Sequence, residues 1–358
     1  MMRGEESWKE PDRRFVISGP ARPRDLRDLM ERPFFALGKI PRYAPIHYRA
    51  GYTEVHVIPN EAVGIATIWD ADVLIWLAGQ IVDALNHGLW VSRHVRFTPW
   101  RLFADLGWAD GAHQYRRFHG ALARLAATTV TTTIRNGPNW QEKSFTWVSD
   151  VRVSGDDGVA LTLPEWFLDT IAEPTRVLTV DAAYFRLRGG VERWLYRIAR
   201  KHVGRQRGQW LFETAFLYSK SGSLMQRGDF ALALRKIAGN TAFPRYRFAV
   251  VVSRGVEYLR IETTARSTGP VDKPVRRPVA INVDGTVGLR DGIPLDRSEN
   301  PHATPCHITE SDGRNLVHNL KSLDRCRESR FFAQRISGRG DKRKKAQEAV
   351  ADRGAGVP

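Results

Sequence analysis

The sequence changes its periodicity within the stretch HQYRRFHGALARLAATTVTTTIRN, residues 113–136. Phe118, Leu122 and Leu125 are spaced i, i+4 and i+7, which predicts a helix with one buried stripe. The Thr- and Val-rich run that follows this helix favours a β-strand. Together with the run SFTWVSDVRV, residues 144–153, it predicts a two-stranded β-hairpin.

Two helices and a short strand are predicted before this stretch. Apolar residues recur every four positions over residues 73–85, which predicts a long amphipathic helix that ends at Gly88. A strand is expected at residues 95–97, and Thr98 followed by Pro99 is typical of the start of a second helix. Helix, short strand, helix, helix and hairpin is the element order of a winged helix.

The same order of elements recurs from about Val177. A strand-like run leads to a helix at residues 189–204, in which Leu195 and Ile198 are expected to lie on the buried side. Its arginines are expected to face outward, and they are Arg193, Arg197 and Arg200. Two more helices and a hairpin complete the second copy, at residues 211–222, 228–240 and 246–263.

These patterns predict an α+β protein with tandem winged-helix domains, that is, two three-helix units each with a β-hairpin wing. The proline-rich start predicts an irregular N-terminal arm, and the Pro-, Gly- and Arg-rich end predicts a disordered basic tail. The expected boundaries are 1–45 for the arm, 46–153 for the first domain, 154–176 for a connecting strand and helix, 177–265 for the second domain and 266–358 for the tail.

The charge of the chain points to a polyanionic partner. The 358 residues include 55 Lys and Arg against 39 Asp and Glu, a formal net charge of +16. The tail from Arg266 contributes 18 basic and 12 acidic residues, or +6, so the preceding residues carry +10. Nucleic acid is the favoured partner, and a set of solvated basic faces is the alternative.

The sequence lacks the motifs of several other classes of protein. No apolar run is long enough for a membrane span, and the charged start has no apolar signal core, so we expect a cytoplasmic protein without membrane contacts. Cys306 and Cys326 are too few for a disulfide framework or an all-cysteine zinc site. No phosphate-binding G-x-x-x-x-G-K-[ST] or metal-binding H-E-x-x-H string occurs. We therefore expect no enzyme activity, catalytic residue, cofactor or metal.

The two third helices are the candidate DNA-reading elements. On the first, the side opposite the apolar stripe carries basic residues and a glycine that would allow close approach to a groove. The predicted contacts on this helix are His113, Arg116, Arg117, Gly120 and Arg124. The alternative is a solvated basic helix.

The second copy offers a comparable set of polar and basic residues. Arg235 and Lys236 are expected to face outward beside Leu232, and short polar side chains before the helix suit phosphate contacts. The predicted contacts there are Ser221, Ser223, Arg227, Arg235 and Lys236. The predicted hairpin tips add Arg135 and Asn136 in the first copy and Arg254 in the second.

Four long strings resemble the plasmid-type replication initiator protein A family of bacteria: GIATIWDADVLIWLAGQI, YRRFHGALARLAATTVTTTIRNG, VLTVDAAYFRLRGGVERWLYRIARKHVG, and KSGS followed by DFALALRKIAGN. The resemblance covers about residues 30–262 and leaves the tail unmatched. It implies an initiator that binds double-stranded DNA repeats at an origin, helps to open the origin and recruits the host helicase or other replication factors. It also implies repression of the chain's own promoter by a homodimer, and no catalytic residues.

From the residues alone, the prediction stops at a tandem winged-helix DNA binder. A transcriptional repressor without initiator activity is therefore the alternative. An origin-nicking endonuclease would need a tyrosine or serine nucleophile together with metal-binding histidines. The sequence contains no such assembly.

Overall fold

The described chain has a first half before Val177 and a second half from Val177 onward, and each half contains one long helix with most of its residues buried. In this computed structural model the described residues are 14–134, 143–154, 158–203, 209–264 and the strand pair at 280–281 and 287–288. The chain divides into two compact units, residues 1–294 and 295–358, and all described residues belong to the first. The described part is a mixed α+β structure.

The described helices are α1 (Arg27–Glu31), α2 (Ala71–Asn86), α3 (Pro99–Leu106), α4 (Ala112–Ala127), α5 (Glu165–Ala172), α6 (Gly190–His202), α7 (Thr214–Ser221) and α8 (Arg227–Ala238). The strands are β1 (Phe15–Val16), β2 (Arg24–Leu26), β3 (Ile46–Ala50), β4 (Thr53–Ile58), β5 (His94–Phe97), β6 (Thr129–Thr132), β7 (Lys143–Thr146), β8 (Ser149–Ser154), β9 (Gly158–Thr162), β10 (Val177–Thr179), β11 (Gln209–Glu213), β12 (Tyr246–Ser253), β13 (Val256–Thr263), β14 (Ala280–Ile281) and β15 (Val287–Gly288).

Helix α2 forms the centre of the first half. The helix was expected to be amphipathic, but it is buried on nearly all sides, with Val73, Leu77 and Ile81 at 0% exposure. The N-terminal segment approaches it so closely that a Cβ on Gly79 would lie 2.5 Å from the carbonyl oxygen of Arg22. A helix enclosed in this way belongs to the core, and only its last turn reaches the surface.

The hairpin predicted over residues 129–153 is wrong in its second strand. Strand β6 pairs with β7 as expected, but the chain turns at Trp147 and β8 pairs with β9 instead. Trp147 fixes this corner because its ring is fully buried and stacks on Phe35 with centroids 4.7 Å apart. The two sheets of the first half therefore have the orders β3-β4-β6-β7 and β1-β5-β9-β8.

The second half contains the three predicted helices and the hairpin in the predicted order, but residues 211–213, predicted as the start of the second helix, belong to strand β11. Helices α6, α7 and α8 are followed by the hairpin β12–β13, and the sheet has the order β11-β13-β12. Leu195 and Ile198, which were expected on the buried side of α6, are both 0% exposed, and Trp194 beside them is 2% exposed. The stripe on α8 is buried as well, through Phe230, Leu234 and Ile237.

The N-terminal segment is not an irregular arm over its described residues. From residue 14 to 45 it contains β1, β2 and α1, and it buries Leu26, Met30, Phe34 and Phe35. Strand β1 pairs with β5, and β2 pairs with β10, so the segment is bonded to both halves of the chain. Its prolines had suggested that little of it would be buried. In the predicted tail, β14 pairs with β15.

Two arginines of α6 point into the core, which corrects the expectation that they face outward. Arg193 donates from Nη1 to both carboxylate oxygens of Asp72, at 2.7 and 2.9 Å. Arg197 donates from Nε to Asp25 at 2.7 Å. All four side chains are 3% exposed or less. Burial, opposed by the charge of Arg193, raises the pKa of Asp72 to about 6.

Breaking one of these pairs is predicted to destabilise the fold strongly. Arg193→Met should lower the free energy of unfolding by about 3–5 kcal/mol, because it leaves the Asp72 carboxylate buried without a partner. The double variant Arg193→Met with Asp72→Leu should regain most of that loss. Urea titrations measure both effects, and Arg188→Met, at an exposed position, is the control. A loss below about 1 kcal/mol for Arg193→Met would contradict the role of this pair.

Candidate nucleic-acid interface

Helix α4 presents one apolar face to the core and one polar face to solvent. Phe118, Leu122 and Leu125 are 0–2% exposed, as the sequence predicted. Phe118 packs edge-on against Phe103 with ring centroids 5.7 Å apart, which fixes α4 on α3. On the opposite side, His113 and Arg116 are exposed. Neither makes a salt bridge to another described residue.

Arg117 does not belong to this exposed pair. Its guanidinium carbon lies 4.0 Å from the centre of the Trp108 ring, a cation–π contact. Burial lowers the pKa of Arg117 against the opposing effect of the Asp72 carboxylate, which places the group near the buried ion pair of α6. This position suits a residue that orients α4.

Arg124 is half-buried and is engaged in an ion pair within the protein. It donates from Nε and Nη2 to the two carboxylate oxygens of Asp70, at 2.7 and 2.8 Å. This hydrogen bonding raises the pKa of Arg124 despite its partial burial. The bidentate pair attaches the last turns of α4 to the start of α2. Gly120 lies under this side chain, since a Cβ there would be 3.3 Å from Nη1 of Arg124.

Helix α8 presents a mixed face in the second half. Arg227 and Lys236 are exposed, and Leu232 between them is 62% exposed. Arg235 is exposed too, but its guanidinium is hydrogen-bonded to Glu257 of β13 at 2.6 and 2.9 Å. The cations of this face with no salt bridge among the described residues are therefore Arg227 and Lys236.

The two predicted serines are engaged in local structure. Ser221 is 0% exposed, and its hydroxyl donates to the carbonyl of Tyr218 at 2.8 Å. Ser223 is half-buried and accepts from the amide of Met225 at 3.2 Å. The chain leaves α7 through Gly222, which has a φ of 62°, and this turn directs Ser221 inward. Ser221 in this position cannot reach a phosphate on the surface.

Of the three residues predicted at the hairpin tips, the structure describes Arg254. Arg254 is exposed in the turn between β12 and β13, where its φ of 49° belongs to the left-handed region. Arg135 and Asn136 lie outside the described residues.

Sequence patterns did not indicate that Asp70 faces inward, because its partner Arg124 lies 54 positions away in the chain.

The described residues contain neither a cluster of metal ligands nor a membrane-spanning helix. No group of three or more His, Cys, Asp or Glu side chains is arranged to hold a metal ion in this part of the chain. None of its helices is long and apolar enough to cross a membrane.

The sequence profile of the family described as Replication initiator protein A matches residues 24–248. The chain belongs to this family. It is 28% identical over 226 residues to a protein named "Putative replication protein" from Wigglesworthia glossinidia brevipalpis. The aligned region covers 61% of this chain and 81% of that relative.

Two solved structures of RctB domains 2 and 3 are similar to this member of the replication initiator protein A family. One has a TM-score of 0.44 at 12% identity and covers 64% of this chain and 95% of that one. The other has a TM-score of 0.42 at 11% identity, with 64% and 94% covered.

Arg124 and Arg116 of α4 are predicted to differ in their effect on stability. Arg124→Ala should lower the free energy of unfolding by about 1–3 kcal/mol, because the Asp70 carboxylate, 4% exposed, loses its partner. Arg116→Ala should change it by less than about 0.5 kcal/mol, as expected at an exposed position. Thermal and urea unfolding of both variants measure this difference. Equal losses in the two variants would contradict the assignment.

Proposed function

We propose that this family member is a DNA replication initiator that binds duplex repeats at its origin, helps to open adjacent DNA and recruits the host helicase or other replication factors. The observation that carries the proposal is the exposed face of α4. This face offers His113 and Arg116 without salt-bridge partners in the described structure, while Phe118 on the opposite side anchors the helix in the core. An anchored helix with outward cations fits the major groove of DNA.

We further propose that the described chain holds two winged-helix domains. In the second half, the sheet order β11-β13-β12 places the strand between the first two helices beside a hairpin, as a winged helix requires. In the first half, β5-β9-β8 has the same arrangement. The first wing is then formed by β8 and β9, and the first domain extends from residue 46 to Thr162. We propose residues 177–265 as the second domain.

Two features support DNA as the partner. The residues before Arg266 carry +10 of the net charge of +16. Basic residues are also exposed on both third helices, with Arg116 on α4 and Lys236 on α8. A duplex attracts such a surface through its phosphates over a distance of about one Debye length.

The proposal includes several further properties. The chain acts in the cytoplasm without a catalytic centre, cofactor or metal of its own for the initiation step, and as a homodimer it represses its own promoter. The alternative is a winged-helix repressor without initiator activity. A repressor needs only operator binding, whereas two unlike DNA-binding domains in one chain suit an initiator, which must also deform DNA.

We predict that α4 reads bases through Arg116. A bidentate arginine–guanine contact contributes about 1–3 kcal/mol of discrimination, so Arg116→Ala should lower affinity for the selected site about 5- to 150-fold. Preference at one base pair should relax at the same time. Binding-site selection followed by fluorescence-anisotropy titration gives both values. An equal loss on specific and random duplexes would make Arg116 a phosphate contact instead.

The second prediction concerns the contribution of α8 to the salt dependence of DNA affinity. We propose that this helix anchors the protein mainly through phosphates, with Arg227 and Lys236 as the contacts and Arg235 held back by Glu257. Each phosphate contact contributes about 0.9 to the slope of log affinity against log salt, so Arg227→Ala with Lys236→Ala should flatten the slope by about 2. Arg188→Ala is the matched control. A change in the consensus that the full chain selects, seen in the double variant and not in the control, would show that α8 reads a half-site.

Footprinting on the DNA around the chain's own gene tests the function as a whole. An initiator should give repeated protection of about 20 base pairs per repeat, with permanganate-reactive thymines in a neighbouring AT-rich region. A single protected promoter site without permanganate reactivity would indicate the repressor. Absence of any protected site would contradict both functions.

A further inference from the structure

The outer face of the sheet β3-β4-β6-β7 carries two histidines directly opposite each other. His47 on β3 is the register partner of His56 on β4. Their imidazole rings are stacked, with centroids 3.9 Å apart and planes 24° from parallel. His47 is exposed and His56 is half-buried, so the pair is accessible to solvent. Neither ring belongs to the surface proposed to bind DNA.

We propose that His47 and His56 form a two-histidine chelate for a divalent transition-metal ion of the Ni²⁺ or Zn²⁺ class. Imidazole nitrogens are preferred ligands of these ions. With metal–nitrogen bonds of about 2.0–2.1 Å, two nitrogens on one ion lie roughly 3 Å apart. Rings that already stand 3.9 Å apart reach that separation by rotation of their side chains, and the strand ladder remains unchanged.

The two imidazoles are the ligands that the surroundings of the pair leave for an ion. Metal ions bind imidazole in its neutral form. Glu54 lies two residues before His56 and therefore on the same face of β4, where it adds a negative charge. Arg49 faces Glu54 across the ladder and offsets this charge, so the ion would be held by the imidazole nitrogens and not by the carboxylate.

The chelate would be an exchangeable site with two protein ligands and water in the other positions. This agrees with the absence of any group of three potential ligands arranged for a metal among the described residues. It would cross-link β3, the edge strand of its sheet, to β4. The fold brings these two histidines together, so a bound ion stabilises the folded state by mass action.

Ni²⁺ titration of the full chain tests the proposal. The background is Cys306→Ser with Cys326→Ser, so that thiols do not compete, and the remaining histidines of the tail contribute equally in every variant. Thermal unfolding should show a saturable rise in Tm that EDTA reverses. His47→Asn and His56→Asn should each weaken the titrated affinity at least 10-fold. His119→Asn, at an exposed position on α4, should leave it unchanged.

The double variant decides whether the two rings act together. If both ligate one ion, His47→Asn with His56→Asn should lose no more affinity than either single variant, because one imidazole alone cannot chelate. All variants should melt as the parent does without Ni²⁺, which shows that they fold. Losses that add in the double variant, single losses below about 3-fold, or a Tm rise that persists in both single variants would each overturn the proposal.

Discussion

The buried ion pair between Arg193 and Asp72 joins two elements that lie 121 residues apart in the chain, with both side chains at 2% exposure or less. A charge removed from water in this way is tolerated when its partner and its hydrogen bonds are complete. Arg193 meets this condition, since it also donates to the carbonyls of Leu187 and Phe185. The second pair, Arg197 with Asp25, attaches the N-terminal segment to the same helix. Helix α6 therefore cannot shift along α2 or β2 without leaving a charge unpaired.

The same group of charges determines how α4 is presented. Asp70, two positions before Asp72, holds Arg124, and Arg117 lies against Trp108 within the electrostatic reach of Asp72. The arginines on the inner flank of α4 are thus used to orient the helix. Arg116 remains on the outer side, where its guanidinium is available to a partner. The arginines of α4 look equivalent in sequence, but Arg117 and Arg124 orient the helix while Arg116 remains available to bind a partner.

Sequence reasoning was sufficient where the signal is local. The stripe of α4, the helix at α8 and the Thr98–Pro99 start of α3 depend on neighbours within one or two turns, and the structure confirms them. Local sequence patterns were insufficient where a residue far away in the chain determines the direction of a side chain or the pairing of a strand. Arg193 and Arg197 were expected to face outward because a charged side chain ordinarily does, and their carboxylate partners lie more than 100 positions away. The pairing of β8 with β9 depends on the corner at Trp147, which local β-propensity does not reveal.

Tethered cleavage of DNA tests most directly whether α4 lies in the groove. An iron–EDTA group attached through Ala123→Cys, with both natural cysteines replaced by serine, cuts the DNA sugars that lie nearest to it. Ala123 is an exposed position on the same side of α4 as Arg116, so the proposed contact is kept. We expect a cluster of cuts on both strands within each bound repeat, and none from the same group attached through His87→Cys, an exposed position beyond the end of α2. Cuts from position 87 and none from position 123 on the same bound DNA would show that α4 does not lie in the groove.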